Sequence, residues 1–428
     1  MSSKEQETVD YSVEKNAAVK QRFNDFVIPN YGRFDTVLTR GTGCYVWDDR
    51  DRRYLDMGAG IAVCSLGHAH PAMTQAISDQ AGRLVHISNL YYNDLQGRFA
   101  EKLVQNIGPG KCFFCNSGAE ANEALIKLAR KVGSASGRFE IITCTHSFHG
   151  RTMAGISATG QEKVKMGFEP LLPGFVHVPF NDLEAIRNAI SPATIAVMIE
   201  GIQGEGGINP ATPEFLLGLR ALCDERGMLL IYDGVQCGHY RTGSFQSYGR
   251  ILENVDQGDA FRPDAISMAK SLGGGFPLGA IWVNERHADV LGPGTHGTTF
   301  GGTPLASAVG LAVMREVEEK NLDQNARAVG DSFKGLLTTL KSEFPEVISE
   351  IRGLGLMLGV EFSDGFYQHF ASDRPLSIQM VVALEKEGML TIPAGAKVVR
   401  FLPPLNVTEE QAAEAVAILK RTIEGLIS

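Results

Sequence analysis

The chain reads as an α/β protein, with a large domain built on a mostly parallel sheet flanked by helices and a smaller α+β domain drawn from both termini. Three observations predict this. From about residue 71 to 310, short apolar runs (KCFFC, FEIITC, TIAVMIE, MLLIYD, AISMA, LGAIWV) alternate with helical patterns such as EANEALIKLARK and PEFLLGLRALCDERG, as strands and crossover helices do. The runs are apolar throughout rather than at every second position, which suits strands buried on both faces. After LASAVGLAVMREVEEKNL the pattern changes to the long amphipathic stretch NARAVGDSFKGLLTTLKSEF, then IRGLGLMLGVEF, KVVRFLPPL and a closing helix, TEEQAAEAVAILKRTIEGLI. Near the start, GCYVWDDRDRRYLD reads as two strands around a polar turn and is assigned to the same small unit. The predicted division is therefore 1–70 for an N-terminal arm and part of the small domain, 71–315 for the large domain, and 316–428 for the C-terminal small domain.

Composition narrows the function class. Of 428 residues, 44% are hydrophobic and 21% charged, with a net charge of -9, which argues against nucleic acid or an anionic membrane as the main partner. No run of about 18 apolar residues occurs, and residues 1–20 lack the apolar core of a signal peptide. Seven cysteines scattered through apolar runs fit reduced thiols, so a cytoplasmic location is expected. Cys112 and Cys115 form a C-x-x-C, but residues three apart in a strand point to opposite faces. Packing rather than metal or redox chemistry is expected there, and no metal site is predicted.

The chemistry centres on Met228 to Lys270. MLLIY ends abruptly in Asp233, followed by Gly234, Val235 and Gln236, and PDAISMAK ends in Lys270. In open α/β sheets ligands sit beyond the carboxyl ends of strands, so Asp233 and Lys270 are candidates for one crevice. An Asp for a ring nitrogen and a Lys able to form a Schiff base are what pyridoxal phosphate requires of a protein. Taken singly, each has an ordinary reading as a turn cap or a surface lysine. NSGAEANEALIKLARK adds a third group: Ser117, Gly118 and Ala119 precede a helix whose N-terminal N–H groups and dipole favour an anion. In HSFHGRT, Phe148 could stack on a ring and Arg151 could hold a carboxylate in two-point fashion. EGIQGEGGINP contains Glu200 and Glu205, and Arg400 lies inside an apolar run, where a buried arginine needs a carboxylate partner.

These segments, in this order, resemble the class III (ornithine-type) pyridoxal-phosphate-dependent aminotransferases of fold type I, from about Tyr31 to the C-terminus. The stretches AGIAVCSLGHAHP, HISNLYYN, FFCNSGAEANEALIKLAR, DGVQCG, TTFGGTPLASA and VVRFLPPL are most similar to the acetylornithine branch. Ornithine, succinylornithine, acyl-lysine and 4-aminobutyrate enzymes share most of them. The resemblance implies that Lys270 is the imine lysine, Asp233 the pyridinium partner, Gln236 a contact to the ring hydroxyl and Phe148 the stacking ring. It also implies that Ser117, Gly118 and Ala119 bind the phosphate, helped by Thr299 from the other subunit of a homodimer. Arg151, with Thr298 nearby, would hold the substrate carboxylate, and Glu205 with Arg400 would let one site take both an amine donor and a dicarboxylate. The implied reaction moves the terminal amino group of N2-acetylornithine to 2-oxoglutarate, giving N-acetylglutamate 5-semialdehyde and glutamate in arginine biosynthesis. The alternatives are another ω-amino acid, a racemase of the same family, or a non-catalytic relative, the last disfavoured because Lys270, Asp233, Gln236 and Arg151 are all retained. The chain departs from the family pattern at Gly234, at His239 and Tyr240, and in a longer ILENVDQGDAFR connection, which together are expected to alter local shape near the cofactor.

Overall fold

A computed structural model describes residues 16–370 and 372–428. The first part of the expected N-terminal arm, 1–15, lies outside the described residues, and Asn16–Phe26 is helical.

Seven strands form the central sheet in the order Gly110–Cys115, Gly279–Asn284, Ala265–Met268, Leu229–Asp233, Thr194–Glu200, Glu140–Cys144, Phe175–Val178. Only Gly279–Asn284 runs antiparallel to its neighbours. Every position of Thr194–Glu200, Leu229–Asp233 and Ala265–Met268 is buried, which explains why these runs carry no polar alternation. The helix Gly118–Gly133 buries Ala121, Leu125, Leu128 and Ala129 against the sheet, the face its spacing predicts. Parallel register sets Asp233 beside Glu200 and Ser267, so three polar side chains lie side by side where Thr194–Glu200 and Leu229–Asp233 end and one residue before Ala265–Met268 does.

Two smaller sheets combine distant parts of the chain. The hairpin Tyr45–Asp48 and Arg53–Asp56 takes Met389–Leu390 as a parallel neighbour of Leu55 and Asp56. The other sheet has the order Ile348–Leu354, Met357–Phe362, Val398–Phe401, Ile392–Ala394. The helix Pro304–Glu319 runs across residues 315 and 316 without a break. All seven cysteines are free, and burial pushes the thiols of Cys112 and Cys115 up to about 12. Both are thus protonated and unreactive at neutral pH. Among the described residues no helix is long and apolar enough to cross a membrane, and no cluster could hold a metal ion.

One segment is strained. Ala59, Gly60, Ile61 and Ala62 have φ of 45, 64, 65 and 58°, a left-handed turn costing roughly 1–2 kcal/mol for each residue that bears a Cβ. It persists because its surroundings hold it. Asp56 Oδ1 accepts hydrogen bonds from the N–H groups of Gly58 and Ala59 at 3.0 and 2.8 Å, and Ser271 Oγ donates to the Ala62 carbonyl at 2.8 Å. The turn delivers Val63 to the cavity wall near Lys270.

Candidate active site

At the carboxyl ends of the strands lies a cavity of about 430 Å³ whose walls include Asp233, Lys270, Gly118, Phe148, Arg151 and Gln236. Residues more than 150 positions apart meet there because each sits just past a strand end or at a helix start.

Asp233 is 3% exposed and fully bonded on one oxygen. Asn122 Nδ2 donates to Oδ2 at 2.8 Å, and His149 Nδ1 shares a 2.8 Å hydrogen bond with the same atom. Oδ1 accepts from Val235 N at 3.1 Å and Ser267 Oγ at 3.3 Å. Each oxygen of this buried carboxylate thus has two hydrogen-bond partners, which fix its position and orientation. Burial alone would push His149 down, but the hydrogen bond and charge of Asp233 outweigh it and its proton affinity is raised.

Lys270 follows the Ala265–Met268 strand with φ of 49°, a left-handed conformation that turns its side chain into the cavity. Among the described residues it has no hydrogen-bond or ion-pair partner. Burial lowers its pKa, with the nearby Arg400 charge adding to this and Glu205 and Asp233 opposing it. A desolvated amine with a lowered pKa is a better nucleophile at neutral pH.

Arg400 is the most enclosed cation of the group, its side chain 1% exposed against 27% for Glu205. Its guanidinium is bidentate on that carboxylate, Nη1 to Oε1 at 2.7 Å and Nη2 to Oε2 at 3.0 Å, and Nη1 also donates to Gln236 Oε1 at 2.9 Å. Burial works against a charged Glu205, yet Arg400 holds its carboxyl below the ordinary value. Gln236 lines the cavity and touches both partners, so it joins the pair to the space beside Lys270.

Ser117 caps the Gly118–Gly133 helix, accepting from Glu120 N at 3.2 Å, and Gly118 and Ala119 face the cavity. A Cβ at Gly118 would come within 2.7 Å of Val235 Cγ1, so the glycine keeps this N-terminus open. Arg151 is exposed at the rim, its guanidinium 5.6 Å from the centre of the Phe148 ring. Thr298 is half-buried and accepts from Asn116 Nδ2 at 3.2 Å. Thr299 is exposed, and neither threonine lines the cavity of the single chain.

A model of the family "Aminotransferase class-III" matches residues 27–423. The chain belongs to that family. Among curated relatives of this class-III aminotransferase, the acetylornithine aminotransferase of Gloeobacter violaceus is 46% identical over 405 residues, 94% of this chain and 96% of that one. Among solved structures, the ornithine aminotransferase of Toxoplasma gondii superposes with a TM-score of 0.88 at 31% identity, covering 97% of this chain and 96% of that chain. The N-acetylornithine aminotransferase of Stenotrophomonas maltophilia gives 0.78 at 35% identity, covering 93% and 98%.

Class-III aminotransferases work with pyridoxal phosphate, and the residues of this one fit it. An amine with no partner among the described residues suits the aldehyde, a buried carboxylate fixed by hydrogen bonds on both oxygens suits the ring nitrogen, and a helix start kept clear by Gly118 suits the phosphate. Sequence reasoning assigned no role to Asn122, His149 or Glu200, all of which line the cavity. Asn122 did leave a trace, since it lies four residues after Gly118 and so on the same side of the helix. The positions that depart from the family pattern, Gly234, His239, Tyr240 and 251–262, are absent from the cavity walls. Gly234 answers a neighbour behind the site: a Cβ there would lie 2.3 Å from Gln246 Oε1.

Proposed function

We propose that this class-III aminotransferase moves the terminal amino group of N2-acetylornithine to 2-oxoglutarate, yielding N-acetylglutamate 5-semialdehyde and glutamate in arginine biosynthesis. The observation that carries this is the bidentate Glu205–Arg400 pair beside Lys270 and Asp233, in a chain whose curated relatives over most of its length are acetylornithine aminotransferases. When bound, pyridoxal phosphate supplies a ring that withdraws electrons from the reacting carbon. Asp233 holds the proton of the ring nitrogen, steadied by Asn122 and His149. Gln236 reaches the ring hydroxyl, Phe148 covers the ring face, and Ser117, Gly118 and Ala119 take the phosphate. Lys270 Nζ would hold the aldehyde when the cofactor is bound and, once freed, would move the proton at the substrate carbon. Arg151, with Thr298, holds the distal carboxylate of either substrate.

With this function go a homodimer in which Thr299 reaches the partner's phosphate, a cytoplasmic location in keeping with seven free thiols, and 71–315 as the domain that holds the cofactor. The test is the rate of glutamate release from 2-oxoglutarate by the purified, cofactor-loaded protein, with acetylornithine, ornithine, succinylornithine and 4-aminobutyrate compared as donors. Acetylornithine is expected to give the highest kcat/KM. A different best donor would move the assignment to another branch, and racemisation with no glutamate would overturn it.

A further inference from the structure

Glu200 belongs to the cavity wall and has no part in the transamination steps assigned to its neighbours. It closes a strand buried along its whole length and pairs in register with Asp233. Among the described residues it meets no cation within ion-pair distance. Its two oxygens instead serve two different backbone segments: Oε2 accepts from Phe148 N at 3.1 Å, and Oε1 accepts from Gly204 N at 3.2 Å. One segment carries the aromatic ring of the cavity wall. The other carries Glu205, the bidentate partner of Arg400, one residue on.

The Gly204 backbone is also pressed against Gln236. A Cβ at residue 204 would lie 2.3 Å from Gln236 Oε1, the atom that accepts from Arg400. A small shift of the Gly204 backbone is thereby felt by both partners of the guanidinium, because close-packed contacts transmit displacement.

We propose that Glu200 is a positioning residue that ties the Phe148 wall to the Glu205–Arg400 pair, so that the seating of a ring in the cavity and the choice between amine donor and dicarboxylate are set through one carboxylate. This rests on the proposed transamination. Glu200 touches neither reacting atom; it acts through Phe148 on one side and Glu205 on the other. Glutamine in its place keeps the volume but sets an amide NH2 against one of the two N–H donors, so one tether is lost whichever way the amide faces.

The test uses the full-length, cofactor-loaded protein and two readouts. Hydrogen exchange by mass spectrometry should show the peptides bearing Phe148 and Gly204 exchanging faster in Glu200→Gln, by about tenfold at one of the two amides. In single-turnover kinetics, discrimination between acetylornithine and glutamate as donors should fall by about tenfold in Glu200→Gln and show little further fall when Glu200→Gln is added to Glu205→Ala, because residues acting through one another are not additive. Unchanged exchange in both peptides, or a fully additive loss of discrimination in the double variant, would overturn the proposal. If Glu200→Gln fails to fold, Glu200→Asp, which keeps the charge but is one methylene shorter, is taken through the same cycle, where either of those two results overturns the proposal in the same way. If the wild type proves to have no donor activity with 2-oxoglutarate, the proposed function fails, while the exchange data still decide whether Glu200 tethers the two segments.

Discussion

At the scale of single residues, the site depends on groups whose charge states are set by burial. Lys270 is desolvated and, among the described residues, is the one lysine in the cavity wall. Lys270→Ala is expected to lose the visible absorption of lysine-linked cofactor and to lower turnover by about 10⁴-fold or more; a variant with wild-type spectrum and rate would remove Lys270 from its role. His149 offers a pH test. Its proton affinity is raised above the ordinary 6.5 because Asp233 outweighs burial, so the native state binds this proton more tightly than the unfolded chain. The stabilisation is whole below pH about 6.5 and is lost as pH rises through the higher native value. Between pH about 6 and about 8, the thermal midpoint of the wild type should therefore fall more than that of His149→Gln. Parallel curves in scanning calorimetry would show that His149 does not hold the proton.

At the scale of elements, the strand Val398–Phe401 and the turn after Thr194–Glu200 bring Arg400 and Glu205 together. The Glu205 side chain is 27% exposed against 1% for Arg400, so under the proposed function Glu205 is the partner expected to leave. Paired, it would neutralise the guanidinium for an amine donor; withdrawn, it would free Arg400 to take the α-carboxylate of 2-oxoglutarate or glutamate in two-point fashion. Glu205→Ala should let α-amino donors such as glutamate compete, with relative kcat/KM rising about tenfold, the equivalent of roughly 1.4 kcal/mol. The half-reaction with 2-oxoglutarate should stay close to the wild-type rate. Single-turnover measurements in which both half-reactions drop equally, with donor preference unchanged, would point instead to a fixed bridge between elements.

At the scale of the whole molecule, apolar surface gathers around the loops that carry the two candidate threonines. Leu90, Tyr91, Tyr92 and Phe300 are all more than half exposed, Tyr92 completely, and Asn89 Nδ2 ties the first loop to the second by donating to Gly301 O at 2.9 Å. A patch of this kind on a monomer marks an interface. Sedimentation should give a dimer, and Tyr92→Asp should weaken both association and cofactor retention; a fully active wild-type monomer would refute the dimer.

The order of strands and helices was legible in the chain because burial leaves a local pattern, a 3.6-residue period in helices with one buried face and a continuous apolar run in strands buried on both, as LLIYD and TIAVMIE show. Asp233 and Lys270 could be read as members of one crevice for the same reason, as polar residues stopping apolar runs. Asn122 and His149 on Asp233, and Glu200 between Phe148 and Gly204, could not. The helix Gly118–Gly133 brings Asn122, and the segment after Glu140–Cys144 brings Phe148 and His149, to carboxylates that the register of Thr194–Glu200 against Leu229–Asp233 sets side by side. The left-handed turn at Ala59–Ala62 was hidden in the same way, since in AGIA only Gly60 favours it. The Asp56 carboxylate and Ser271, more than 200 positions on, hold the other residues there. The sequence by itself determined the periodicity, the strand-end chemistry and the helix start suited to an anion. The tertiary structure alone decided which donors surround each carboxylate and which carboxylate keeps a path to solvent, because those are properties of distances between segments that no local pattern encodes.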